Sequence, residues 1–435
     1  MKIGFVSLGC AKNLVDSEMV MGLLLANDHQ LVTDAAKAEV IIINTCGFIN
    51  SAKEESINTI LEMAEYKKQN CRFLIVMGCL AQRYLSDLEQ ALPEVDRFIT
   101  IDEYARLSEI FAELFQLKFT SYGKNKRVIS TKPWTAYLKI AEGCSNRCSY
   151  CAIPLIRGDY HSIAINELLA EAQDLADSGV KELVVIAQDT TRYGSDIDGK
   201  YHLLSLLTQL NKIEGLHWIR VLYMYPDEIS DELVLGMQKL EKVLPYFDIP
   251  VQHGTDQMLL AMNRRGTIES IKHTIDLIRN TYEQAVLRTT IIVGFPNETN
   301  DDFKQLLEFV KATKWDRLGA FTYSHEEDTP AYQLIDNISE ETKQKRLDEL
   351  MMIQQAIAIE NSKKLLGCKL EVLIESYDMI KKHYRGRSLF SAPDGVDGTV
   401  FVTSDIEMVA GNFYQVMIDK SEIHDLYGHL IETDA

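Results

Sequence analysis

Residues 143–158 read GCSNRCSYCAIPLIRG. Three thiols, Cys144, Cys148 and Cys151, fall within eight residues. They follow directly on the apolar run AYLKIA, which has the pattern of a buried strand. A 4Fe-4S cluster takes one thiolate per iron when fully ligated. Three cysteines therefore leave one iron open to an outside ligand. A closed zinc site wants four protein ligands, and His161, ten residues beyond Cys151, is a poor fourth. The plainer alternatives are a structural zinc knuckle or unrelated buried cysteines.

Outward from this loop, strand-like runs alternate with helical stretches: AYLKIAEG, ELVVIAQD, WIRVLYMY, YFDIPVQ, LRTTIIVGF and RLGAFTY. Helical periodicity separates them, for example over 166–178 and 268–282. Six strand–helix repeats predict a complete or partial TIM-type barrel, with function gathered at the C-terminal ends of its strands. A long, charged helical stretch at 338–366 is placed to close this unit.

The first 115 residues alternate in the same way. KIGFVS, AEVIIIN and RFLIVM precede amphipathic stretches, which predicts βαβ units and a parallel sheet. Cys10, Cys46 and Cys79 each end one of these strands (IGFVSLGC, VIIINTC, FLIVMGC) and open the following helix. In a parallel sheet all such positions share one edge, where open α/β sheets bind ligands. A lone cysteine in such a slot is usually a small buried hydrophobe. Three equivalent ones predict a second three-thiolate metal site. Cys71 and Cys368 have no such partners and read as ordinary thiols.

Residues 118–132 are polar and basic and read as a linker. The last 68 residues change character: KLEVLIES, TVFVTS and FYQVMID alternate apolar and polar around turns such as APDGVDG, predicting a small all-β, OB-like barrel. The expected division is 1–117, 130–367 and 368–435. From Lys369 onward there are six Lys/Arg against twelve Asp/Glu, a net charge of −6, within a whole-chain charge of −19. Phosphate-backbone binding is driven by Lys and Arg, so this balance argues against RNA and favours a basic protein partner. One basic run, KKHYRGR at 381–387, could touch RNA; a solvated strand and turn is the plainer account. There is no secretory pattern and no apolar run approaching the roughly 20 residues of a membrane span. A cytosolic location is expected, where clustered thiols signal metal binding or catalysis rather than disulfides.

The Cys-x3-Cys-x2-Cys loop resembles the signature of the radical-SAM superfamily. That resemblance implies that the open iron chelates S-adenosylmethionine (SAM), whose reductive cleavage gives a 5′-deoxyadenosyl radical. It also implies that Tyr150 lies near the adenine, with Gln188, Asp189 and the turn around Gly294 as further SAM contacts. With two three-cysteine sites in this order and a C-terminal TRAM barrel, the whole chain resembles the radical-SAM methylthiotransferases. SLGCAKNLVDSE, NTCGFINSAKEESI, CSNRCSYCAIPLIRG and GRSLFSAPDGVDG match the RimO type. Family likeness then implies two 4Fe-4S clusters, SAM as both methyl donor and radical source, and sulfur supplied at the N-terminal cluster. The resemblance implies as target the β-carbon of an aspartate in ribosomal protein S twelve, free or on the small subunit, and it implies an electron donor and a sulfur source. A tRNA adenosine methylthiotransferase of the MiaB type and a non-catalytic iron–sulfur electron carrier remain as alternatives.

No residue stands out as a general acid or base. Asp189 and Glu298 read as substrate-positioning carboxylates or, more simply, as solvated loop residues, and Arg264 and Arg265 as carboxylate binders or surface ion-pair partners.

Overall fold

The computed structural model describes residues 1–120 and 127–431, so 121–126 of the expected linker lie outside the described residues. Strands β1 (Lys2–Ser7), β2 (Gln30–Val32), β3 (Val40–Thr45), β4 (Phe73–Gly78) and β5 (Arg97–Ile99) form one sheet in the order β2-β1-β3-β4-β5. Every pairing is parallel. All six β3 residues are buried, as expected of a strand covered on both faces. Val40 and Ile42 join the core under helix α1 (Ala11–Ala26), while Ile41 and Ile43 join the core under α2 (Asn50–Ala64) and α3 (Cys79–Ala91). The strand order reverses between β1 and β3. That topological switch point is where such sheets open a crevice for ligands.

The second sheet uses all six strands expected from the sequence. β6 (Thr135–Lys139) leads through a small antiparallel clip, β7 (Ala141–Glu142) with β8 (His161–Ser162), to β9 (Glu182–Ile186), β10 (Trp218–Val221), β11 (Val243–Asp248), β12 (Val286–Val293) and β13 (Arg317–Thr322). They lie in the order β6-β9-β10-β11-β12-β13, all parallel, as a partial (β/α)6 barrel. Alternate residues face opposite ways: Leu183, Val185, Ile219 and Val221 pack under the outer helices, whereas Val184, Ile186, Trp218 and Leu222 face the concave side. The predicted long helix runs from Glu340 to Lys363 and buries Leu350 and Ile357 in the outer core.

The C-terminal strands β14 (Lys369–Asp378), β15 (His383–Arg387), β16 (Val400–Thr403), β17 (Phe413–Glu422) and β18 (Asp425–Leu430) close into a barrel in the order β14-β15-β16-β18-β17. Only the β16–β18 pairing is parallel. The small barrel is not a loosely tethered appendage. Its core residues Leu373, Phe390 and Ala392 pack into the concave face of the larger barrel beside Trp218 and Tyr246. Glu182, at the start of β9, accepts from Arg220 (3.1 Å) and from Arg387 (2.5 Å), and all three are buried. The KKHYRGR run is thus divided: Lys381, Lys382 and Arg385 are exposed, while Arg387 is an internal ion-pair partner. The APDGVDG turn sends Asp394 to Arg288 (2.5 Å) and Asp397 to the Tyr246 hydroxyl.

Candidate active site

Cys10, Cys46 and Cys79 follow β1, β3 and β4 at the switch-point edge. Their approach depends on a glycine at Gly9, which has a φ of +87°; a Cβ there would lie 2.9 Å from the Cβ of Cys46. The organiser of the site is Asn13, fully buried in the first turn of α1. Its Nδ2 donates to Leu8 O (3.1 Å) and Thr45 O (3.0 Å), and its Oδ1 accepts from Cys79 Sγ (3.4 Å). One amide therefore fastens all three cysteine loops. Ser56 adds a reciprocal pair of hydrogen bonds to the backbone of Cys46.

The three thiols affect one another electrostatically. Burial pushes Cys79 up to about 11, with Arg157 opposing and Cys10 and Cys46 adding to the rise. Burial also raises Cys46. Cys10 goes the other way: burial opposes it, but the charge of Lys12, the backbone N–H of Asn13 and Arg157 hold its thiol below the usual range.

In the second group, Cys144 N donates to Gly158 O (3.1 Å) and Cys151 N to Cys148 O (3.0 Å), winding the loop into a compact turn. Burial pushes Cys144 up to about 11 and Cys151 well above the ordinary thiol value. Thiols raised in this way are weak nucleophiles near neutrality, and ligation of a metal would require each to give up its proton. Among the described residues, no three His, Cys, Asp or Glu side chains close to the spacing of a single metal ion. A four-iron cluster takes its thiolates one to each iron. Each group also has a buried arginine with an N–H that has no acceptor among the described residues: Nε of Arg157 at the first, Nε of Arg264 at the second. Sulfur-rich clusters commonly accept hydrogen bonds from such donors.

Arg264 sits among the second group. Its Nη1 is 3.3 Å from the Tyr150 hydroxyl, its Nη2 donates to Pro250 O (2.6 Å), and its guanidinium lies over the Tyr225 ring at 4.2 Å. It is not a surface residue. Arg265 is: nearly half exposed, it pairs with Asp227 and Glu228. Tyr150 packs against Met258, Met262, Phe295 and Tyr323. Asp189 and Glu298 are buried rather than solvated: Asp189 accepts from Asn146 and Thr191 (2.7 and 2.6 Å), and Glu298 accepts from the backbone N–H of Gly294 and pairs with Arg346 at 3.3 Å. Burial lifts Asp189 to about 6, helped by Glu228, and lifts Glu298 to about 7. Gly294 makes a tight turn at φ +75°, where a Cβ would strike Lys343. Gln188 is half-buried and makes no side-chain hydrogen bond among the described residues. His161 is exposed and pairs with Asp196, away from metal-ligand duty. Cys71 is buried against Phe73 O, and Cys368 is half-buried.

The two groups meet through charge. Arg157 ends the short helix after Cys151 and reaches α1 of the first domain, donating to Asn13 Oδ1 (2.6 Å), Asp16 Oδ2 (3.0 Å) and Glu142 Oε1 (2.8 Å). Lys139 pairs with the same Asp16 and Glu142. On the far side, Glu326 in the loop after β13 accepts from Asn50 N, Lys53 Nζ and Arg83 Nη1, and Arg83 also bonds Gly47 O beside Cys46. The same loop donates Ala331 N to Ser149 O, inside the second cysteine loop. None of these bridging residues stood out in the sequence. The available signal was α1 itself, which buries Lys12, Asn13, Asp16, Ser17 and Glu18.

A cavity of about 300 Å³ opens beside Cys10, lined by Leu14, Tyr137, Tyr223 and Asp394, so that all three domains contribute. Lys12 Nζ stands 3.5 Å from the centroid of the Tyr223 ring. Tyr223 holds a φ of +61°, a conformation costly for an aromatic residue and frequent at functional sites.

Three family models match the chain: uncharacterized protein family UPF0004 over residues 2–100, the radical SAM superfamily over 138–310 and the TRAM domain over 366–431. Ribosomal protein uS12 methylthiotransferase RimO of Caldicellulosiruptor saccharolyticus is 47% identical over 99% of this chain and 100% of its own length. The protein of the same name from Clostridioides difficile is 48% identical over 99% of each. The chain belongs to the RimO methylthiotransferase family. As a radical-SAM methylthiotransferase it works with SAM and two 4Fe-4S clusters. The fold is shared with more distant enzymes. The radical SAM methyltransferase TsrM of Kitasatospora setae superposes with a TM-score of 0.57 at 11% identity, over 82% of this chain and 89% of that one. The cobalamin-dependent radical enzyme OxsB superposes at 0.51 and 14%, over 81% and 56%. No helix among the described residues is long and apolar enough to cross a membrane.

Proposed function

We propose that this RimO-family enzyme methylthiolates the β-carbon of an aspartate in ribosomal protein uS12, with Cys144, Cys148 and Cys151 holding the SAM-binding cluster and Cys10, Cys46 and Cys79 the sulfur-supplying one. The observation that carries the reading is the convergence of Cys10, Cys46 and Cys79 on a switch-point crevice whose cavity is walled by the other two domains. When bound, the two clusters supply electron transfer to SAM and the sulfur to be inserted.

The chain's own part is placement. Asn13 holds the three N-terminal cysteine loops in register. Arg264 and Tyr225 line Cys148 with an N–H and a hydroxyl, each 3.8 Å from its sulfur. Tyr150, Asp189, Gln188 and the Gly294 turn frame the SAM side. Tyr137, Tyr223 and Leu14 give the target side chain an apolar wall that excludes water. Lys12 places a positive charge at that wall, suited to a carboxylate. The acidic C-terminal barrel, at net −6 from Lys369 onward, steers a Lys/Arg-rich partner toward the opening. The reaction takes place in the cytoplasm, where the ribosome is, and draws on an electron donor and a sulfur source. RNA contact through the exposed Lys381 and Lys382 is secondary.

The test is to reconstitute the enzyme anaerobically and offer it SAM, a reductant and, in separate reactions, small ribosomal subunits and tRNA. Methylthio mass on a uS12 aspartyl peptide is expected. Methylthiolated tRNA with unmodified uS12 overturns the substrate assignment.

A further inference from the structure

We infer that Arg157 is a positioning residue for the N-terminal cluster, reaching across the domain junction to give a hydrogen bond from Nε to sulfur at Cys79. This rests on the proposed ligand role of Cys10, Cys46 and Cys79.

Arg157 belongs to the barrel, six residues after Cys151, yet its guanidinium is buried against the first domain. Nη1 is satisfied by Glu142 at 2.8 Å, and Nη2 by Asn13 at 2.6 Å and Asp16 at 3.0 Å. Among the described residues, Nε alone has no partner, although it is buried. Burying an N–H without an acceptor is unfavourable, and native structures rarely keep one without a reason. The chemistry beside this guanidinium is sulfur. Cys79 Sγ bonds the same Asn13 Oδ1 that receives Nη2, so guanidinium and thiol share one anchor. A purely structural bridge to Asp16 would be complete with the two Nη groups. Lys139 already provides a second cationic bridge to Asp16.

The local charges decide the direction of the effect. Lys139 and Arg157 face Asp16 and Glu142, two cations against two anions. Removing Arg157 leaves that group one unit more negative beside the thiolates. Hydrogen bonds to cluster sulfur and nearby charge are the protein's main controls on iron–sulfur potential. Arg157 should therefore hold the N-terminal cluster at a higher potential than it would otherwise have, while fixing the barrel's cysteine loop against it. The two replacements differ: lysine keeps the charge but not the planar fork, whereas glutamine loses the charge and keeps only a neutral N–H donor at the ε position.

The experiment uses the full chain with Cys144, Cys148 and Cys151 replaced by alanine, so that the N-terminal cluster is the sole source of iron–sulfur signal. Iron content and the midpoint potential, read by electron paramagnetic resonance during redox titration, are compared for this parent, Arg157→Gln and Arg157→Lys. The expected result is a potential displaced to more negative values in Arg157→Gln, with Arg157→Lys between it and the parent. Should the glutamine variant lose its iron, the lysine variant alone must still show the displacement. Equal potentials in all iron-loaded proteins would overturn the inference and reduce Arg157 to a domain bridge. A parent that binds no iron would instead overturn the ligand assignment beneath it.

Discussion

Nη1 of Arg264 lies 3.8 Å from Sγ of Cys148, within reach of an N–H···S hydrogen bond. The same guanidinium stacks on Tyr225 and donates to Pro250 O. It is thus held rigidly, and its charge is delivered at the sulfur rather than to solvent. Arg264→Gln removes a charge-assisted contact at the cysteine loop proposed to hold the SAM-cleaving cluster. SAM cleavage, measured as 5′-deoxyadenosine released under reducing conditions, is expected to fall about tenfold, the equivalent of about 1.4 kcal/mol in the barrier. Arg264→Lys should retain more activity. Cleavage at the parental rate in both variants would show that the contact is incidental.

The two cysteine groups predict separable losses. Cys144, Cys148 and Cys151 changed together to alanine should abolish 5′-deoxyadenosine formation. Changing Cys10, Cys46 and Cys79 should leave cleavage uncoupled from product, with no methylthio group on uS12. Mass spectrometry of uS12 alongside nucleoside analysis distinguishes the two. Product from the second variant would remove the sulfur-supplying role from that site.

Glu326 links the first domain to the barrel with an almost fully buried carboxylate. Burial works against its charge, but hydrogen bonds from Ser324 and Lys53, with the charges of Lys53 and Arg83, hold its pKa below the ordinary glutamate value. A depressed acid contributes stability that is fully present above the unfolded value of about 4.3 and is lost as the pH falls through the lower folded value. Glu326→Gln strands two cations and should cost about 3–5 kcal/mol at neutral pH. Thermal unfolding across pH provides the check. The parent and variant curves should be far apart at pH 7 and converge at the acid end. A gap that is constant with pH would show that the carboxylate charge is not the source of the stability.

The parts of this architecture that repeat were legible in the sequence. Six apolar runs became six parallel strands, and Cys10, Cys46 and Cys79 lie at one sheet edge because strand ends in a parallel sheet must. What escaped notice were contacts made across long sequence separations. Arg157 and Asp16 are 141 residues apart, and Glu182 and Arg387 are 205 apart; no local pattern announces either pair. Polarity misled in one direction. Asp189 and Glu298 looked solvated because carboxylates usually are, yet Asp189 is held by Asn146 and Thr191, and Glu298 by the backbone N–H of Gly294 with Arg346 as its ion-pair partner. The APDGVDG turn looked like a simple connection, but the concave barrel face needed covering, and that turn supplies the aspartates that pair with Arg288 and Tyr246.

The Glu182–Arg387 pair sets how firmly the small barrel is seated. Both side chains are buried, and Arg220 is the second cation on the same carboxylate. Burial opposes the Glu182 charge, but the two arginines hold its pKa below the ordinary range. Arg387→Met keeps much of the volume but leaves Glu182 with one cation and Thr135 without its arginine donor. Breaking one side of a buried pair typically costs about 3–5 kcal/mol, and the loss should fall on the interface. The expected signature is a lower Tm together with faster proteolysis between the large and small barrels. Glu182→Gln combined with Arg387→Met should cost less than the two single changes added, since neither residue then leaves the other unpaired. Strict additivity would show that the two residues do not act as a pair.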